Sequence, residues 1–95
     1  MALRTYRKLN AQSAKAKARE QILDEVRPLV FARDGYRCRI GLSPECTGQA
    51  EELHHKRLRS QGGLDTPDNL IAACHYCHRW CHNHPALARE AGVIV

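Results

Sequence analysis

Apolar positions along this chain change their spacing several times, and each change marks a new element. Ile22, Val26 and Val30 fall four apart, with Leu29 beside the last, which describes one face of a helix. Ser13 carries an oxygen able to cap that helix at Ala14. Pro28 lies inside the pattern and lacks a backbone donor, which predicts a kink, or an end and a restart. Gly35 is the expected stop. From Tyr36 to Ala50 the periodicity dissolves into a loop punctuated by Gly41, Pro44 and Gly48. EELHHK (51–56) and NLIAA (69–73) suit two short strands, and the intervening RLRSQGGLDTPD, with Gly62-Gly63 and Pro67, reads as an ordered loop. A helix is expected from about His75 to Asn83. Pro85 opens a last short helix through about Glu90, and Gly92 ends it. Residues 1–12 are polar, basic and weakly patterned, and are expected as a flexible arm. The pattern as a whole predicts an α+β chain, with a basic N-terminal arm and helix over 1–35 and a folded unit over 36–95.

Composition narrows the picture. A chain of 95 residues with 5% aromatics buries a modest core, and domains of that size often add a disulfide or a metal. The formal net charge of +5 favours anionic partners, nucleic acid first and acidic membrane surface second. The charge is uneven: Arg4, Arg7, Lys8, Lys15, Lys17 and Arg19 all precede Glu20, the first acid. No apolar run reaches membrane-spanning length, and MALRTYRKLN lacks the apolar centre of a secretory signal, so a cytoplasmic location is expected. Disulfides are rare in that compartment, and an odd count of 5 cysteines argues against a closed disulfide framework.

Metal binding is the better reading of the cysteines. Cys74 and Cys77 form a C-x-x-C pair, and Cys38 and Cys46 form a looser one with seven residues between them. Four thiolates from two separated segments satisfy the tetrahedral preference of zinc. The competing readings are that Cys38 and Cys46 are small buried apolar residues, or that the C-x-x-C is a redox pair. The redox reading leaves the histidines unexplained. Cys81 follows Cys77 by four, on the same helical face, and is expected as a buried free thiol, with exchange for Cys46 as the alternative.

The histidines concentrate in the same place, with His54, His55, His75, His78 and His82 inside residues 52–82. Neighbours on a strand point to opposite faces, so His54 and His55 can divide two tasks, one binding a metal and the other staying free as a base. His78 and His82 are four apart and share a helical face, as metal ligands require. His54 and that pair can close on one cation and leave room for water and a phosphate oxygen, as catalytic rather than structural sites do. His75 and His84 are expected as ordinary surface or satisfied core residues, and Tyr76 and Trp80 in the core rather than stacked on bases.

LHH, DNLI and CHYCH, together with the Gly62-Gly63 loop and the upstream cysteine pair, resemble the HNH nuclease family. That family folds as a ββα-metal unit, a hairpin and a helix clasping one divalent cation, and the match covers roughly Tyr36 to Gly92. Small phage- and prophage-encoded members look most similar. The resemblance implies a structural zinc on Cys38, Cys46, Cys74 and Cys77, and a catalytic divalent cation (Mg²⁺, Mn²⁺, Ni²⁺ or Zn²⁺). It implies His55 as general base, and His54 and His78 as ligands of the catalytic ion. His82 matches a further ligand present in some branches, such as the bacteriocin nucleases. Asn69 would hold the hairpin loop and orient His55, or, as in some members, approach the metal itself. DNA is the implied partner, with phage packaging or recombination proteins as further ones and no membrane. Lys56, Arg57, Arg59 and Arg79 are the cations expected to meet DNA phosphates.

The chemistry needs such a set. A phosphodiester repels hydroxide, so hydrolysis requires an activated water and positive charge where the transition state gathers negative charge. An imidazole base must be neutral to act, so activity is expected to fall in acid. With one site per chain, a monomer is expected to nick one strand at a time. The rival reading is a non-catalytic, zinc-stapled DNA-binding module. It shares the basic arm and the cysteines but has no need of His54, His55, Asn69 and His78 together.

Overall fold

The computed structural model describes residues 2–95, with side chains from Ala14 onward. Helix α1 spans Ala2–Arg33. It therefore starts before Ala14, and the segment expected as a flexible arm forms its first turns. No glycine or proline interrupts the chain before Pro28, and Ala11, Ala14, Ala16 and Ala18 flank Ser13 with the strongest helix former. Ser13 accordingly sits within the helix rather than at its cap. Pro28 lies inside an unbroken helix. The side chains of Arg4, Arg7 and Lys8 lie outside the described residues.

The apolar face of α1 is covered at its C-terminal end. Val30 is fully buried, whereas Ile22 is 48% exposed. The helix ends where Gly35 (φ 67°) and Tyr36 (φ 59°) turn left-handed. Tyr36 N–H donates to Phe31 O and Gly35 N–H to Ala32 O, the paired bonds that close a helix on a left-handed residue.

The next residues fasten α1 to the hairpin. Strand β1 (Glu52–His55) pairs antiparallel with β2 (Leu70–Ala73), with His54 opposite Ile71 and His55 opposite Leu70. Asp34, buried beside β2, accepts the Ala72 N–H at 2.9 Å, and Ala72 O accepts from Arg39 N–H. Arg33 donates to the carbonyls of Pro67 (2.8 Å) and Leu70 (2.7 Å) and to both Asp34 oxygens. The outer edge of β2 thus has its backbone groups satisfied by residues 33–39.

Burial presses the Asp34 carboxyl upward, but Arg33, the Ala72 amide and Arg39 together hold it below its ordinary value. A carboxylate depressed in the folded state contributes stability above its unfolded value, and that contribution is lost as pH falls through the folded value. Asp34→Ala is therefore expected to cost about 2 kcal/mol at neutral pH, since Ala72 N–H is left without its acceptor. The deficit relative to wild type should shrink in acid below the ordinary carboxylate range, as read by urea melts across pH. An equal deficit at every pH would refute the charge argument.

After β2 the chain turns directly into α2 (His75–Asn83) and then α3 (Pro85–Glu90). Cys74 caps α2, its sulfur accepting Cys77 N–H at 3.3 Å. The core is small and rich in cysteine: Ile40, Ala73, Cys74, Cys77, Cys81, Ala88 and Ile94 are buried together. Trp80 packs against this cluster, as expected. Tyr76 does not, and is 42% exposed. The buried face of α2 carries Cys77 and Cys81 four residues apart, which turns Tyr76 toward solvent. After α3 the tail folds back along the hairpin, and Val95 N–H donates to Lys56 O.

Candidate active site and metal centre

The cysteines come together first. The ligand atoms of Cys38, Cys46, Cys74 and Cys77 all lie within 4.8 Å of one another, a set able to hold a metal ion. The wide spacing of the first pair closes because Arg37 bridges Gln49 and Cys38 N–H reaches Gly48 O. That small ring returns Cys46 to the side of Cys38. Cys46 sulfur accepts Gly48 N–H at 3.4 Å. Burial drives the Cys77 thiol up to about 12. Burial presses on Cys74 as well, but N–H groups of Cys77 and Thr47 aimed at its sulfur bring it down to about 7. Cys77 and Cys46, both pushed up by burial, favour the thiol until a cation neutralises the set. Cys81 is fully buried and stands outside the set, the free thiol expected from its spacing.

The histidines meet on the other face of α2. His54, 1% exposed, points from β1 toward the helix. Its Nε2 lies 2.9 Å from Val93 O. A carbonyl only accepts, so Nε2 carries the proton and Nδ1 keeps its lone pair. That Nδ1 lies 3.2 Å from Nδ1 of His78. Burial, followed by the neighbouring imidazoles, lowers the His54 pKa to about 4, although the Val93 carbonyl opposes this. His78 is lowered too, mainly by burial. Both rings are thus neutral at physiological pH, the form in which imidazole binds metals. His82, one turn on, has its ring centroid 4.8 Å from that of His78, and it is exposed at the rim.

His55 takes a separate position. It lines a cleft of about 520 Å³ with Leu53, Leu58, Arg59, Ser60, His78 and His82. Its Nε2 lies 2.6 Å from Asp65 Oδ1, and Arg59 Nη2 approaches the same oxygen at 3.1 Å. Nδ1 of His55 has no partner among the described residues.

Asn69 works at the loop. Its side-chain oxygen accepts Arg57 N–H at 2.8 Å, and its amide donates to Arg57 O and Leu64 O at 3.0 and 2.9 Å. No hydrogen bond joins its side chain to the His55 ring. Gly63 makes that arrangement possible, because a Cβ there would sit 1.8 Å from Arg57 O.

The four cations named from the sequence separate. Lys56, Arg57 and Arg59 follow β1, and Arg59 reaches the His55 cleft. Arg79 faces elsewhere, lining a second cleft with Tyr76, Trp80 and His84, where Trp80 and His84 stack at 4.5 Å. His75 pairs with Glu52 at 2.7 Å on the surface, and His84 is exposed, as expected of both. Asp65 and Val93 belong to the site although nothing in the sequence singles them out as members. Asp65 carried a faint signal, an acid in the glycine-opened loop between the first histidines and Asn69. Val93 acts through its backbone and carried none.

No helix among the described residues is long and apolar enough to cross a membrane. Searches of curated proteins and of solved structures return no match. The model of one family, described as HNH endonuclease, matches residues 37–84. The matched stretch is half of the 95 residues. It contains the four clustered cysteines, both hairpin histidines, the loop-holding asparagine, and His78 and His82 of α2. The chain belongs to the HNH endonuclease family.

Proposed function

We propose that this protein is a metal-dependent DNA endonuclease that hydrolyses phosphodiesters one strand at a time. His55 serves as general base, and His54, His78 and His82 hold a divalent cation. The observation that carries this reading is the meeting of His54 and His78 through their Nδ1 atoms at 3.2 Å, beside a cleft that His55 also lines. The donor set fits a cation: two nitrogens each about 2.1 Å from one ion, at 90–109°, lie about 3.0–3.4 Å apart. When bound, the divalent ion supplies positive charge at the phosphate and at the leaving oxygen.

The protein's own residues do the rest. Val93 O fixes the His54 tautomer. His55 accepts a proton from water at Nδ1 as the water oxygen bonds to phosphorus. The bond to the 3′ oxygen then breaks and that oxygen takes a proton from solvent water, leaving a 5′-phosphate and a 3′-hydroxyl. Lys56, Arg57 and Arg59 neutralise phosphates flanking the cleft, while Arg79, lining the second cleft, would meet a phosphate further along the DNA. The four cysteines hold zinc, which fixes the start of α2 and so places His78.

The test is relaxation of supercoiled plasmid by the zinc-loaded protein in Mg²⁺, Mn²⁺ or Ni²⁺. Nicked circles are expected before linear DNA. Plasmid that stays supercoiled under every ion, yet is retarded in a gel, would favour the DNA-binding module without catalysis.

A further inference from the structure

The geometry points to Asp65 as the residue that positions the general base, by accepting the His55 Nε2–H and so presenting Nδ1 as the proton acceptor. This inference rests on the nuclease reading above and adds a member to its machinery. A carboxylate cannot donate, so the 2.6 Å contact requires the proton on Nε2. Burial presses the Asp65 carboxyl upward, but His55 and Arg59 hold it below its ordinary value, so it stays ionised. Its side chain is 16% exposed, enough enclosure for the bond to set the angle of the ring.

The loop is built to hold that carboxylate in place. Asn69 binds Arg57 on both its N–H and its carbonyl, and also the Leu64 carbonyl, which immediately precedes Asp65. Gly63 lets the Arg57 carbonyl pass within a distance no side chain permits. Asn69 therefore reaches His55 indirectly, through Leu64 and Asp65. Arg59 holds the same Asp65 oxygen from the cleft side. Two neighbouring histidines are thus fixed in opposite senses of use. On His54, Val93 O takes Nε2–H and leaves Nδ1 toward the His78 ligand. On His55, Asp65 takes Nε2–H and leaves Nδ1 for water.

In the transfer, one water proton passes to His55 Nδ1 while the Nε2 proton stays shared with Asp65. The resulting imidazolium returns its proton to solvent after the strand is cut. Asp65 gains and loses none. It is a positioning residue, with no contact to substrate implied.

The experiment compares wild type with Asp65→Ala and the isosteric Asp65→Asn, all zinc-loaded. Ring ¹H–¹⁵N spectra of His55, assigned with His55→Gln, report which nitrogen is protonated. Wild type is expected to show the proton on Nε2. Both variants are expected to show mixed tautomers. Their kcat for plasmid nicking should fall about 10- to 100-fold while KM stays within about twofold. Asp65→Asn guards against a folding artefact, since it keeps the side chain's shape. A His55 ring that stays Nε2-protonated in both variants, with kcat unchanged, overturns the inference. The spectra decide this even if wild type cuts no DNA, in which case the nuclease reading fails by itself.

Discussion

His55→Ala is expected to slow strand nicking by about 10²- to 10⁴-fold, the range that a positioned general base supplies. It is the largest single-residue effect expected on the chemistry. His55 shares a cleft with His78 and His82 but is not one of the two rings whose Nδ1 atoms meet, where the divalent ion is proposed to bind. Its removal should therefore leave divalent-ion affinity unchanged. Plasmid affinity at fixed salt should move by no more than about twofold, because phosphate contacts supply most of the binding. His54→Ala makes the informative contrast. It removes the proposed ligand whose Nδ1 meets that of His78, so its loss should weaken ion binding, and excess Mn²⁺ or Ni²⁺ should restore part of the rate. A His55→Ala protein that nicks at the wild-type rate would overturn the assignment of the base. So would one whose defect disappears with added metal.

Stripping the ion from the four cysteines is expected to unfold the region from Arg37 to the end of α2. Structural zinc in small peptides is worth about 10–16 kcal/mol at neutral pH. A whole domain is stable by only about 5–15 kcal/mol. The buried cluster contains few large side chains beyond Ile40 and Ile94, with Cys74, Cys77 and Cys81 filling the space between them. Without the cation, burial favours neutral thiols at Cys77 and leaves the sulfurs crowded with nothing to bind. Cys77→Ser should therefore lose zinc and cooperative melting together, and lose nicking as a consequence. Cys81→Ser is the matched control, since it lies on the same face of α2 but outside the cluster. It should keep about one zinc per chain and lose roughly 1 kcal/mol. Elemental analysis and circular dichroism on the same samples read both. A metal-free Cys77→Ser that melts like wild type would show that the cluster is not a staple.

Much of this architecture was legible in the sequence because its signals are local. Gly62-Gly63 between two short apolar runs marks a hairpin loop, and C-x-x-C before H-x-x-x-H marks a helix that begins at a metal site. Other parts were not legible, for three physical reasons. At the N-terminus, Ser13 reads as a cap, yet helix propensity on both sides of it is high enough for the helix to run through. Tyr76 is apolar in composition alone, and its exposure follows from which face Cys77 and Cys81 claim. The contacts of Asp34 with Ala72, Asp65 with His55 and Val93 with His54 join residues 38, 10 and 39 apart. No periodicity reports such pairings. Asn69 is expected to steady the loop, and its three bonds there do so without a hydrogen bond to the His55 ring.

The tight passage at Gly63 bears on how such a protein could be retargeted. A saturation library across residues 57–69 should tolerate almost nothing at Gly63, where any side chain collides with the Arg57 carbonyl. By contrast, Ser60 and Gln61 are exposed, and Ser60 borders the cleft directly. The side chains at that lip face solvent, so, on the proposed function, altered preference for flanking nucleotides should accumulate there and leave Gly63 and Asn69 unchanged.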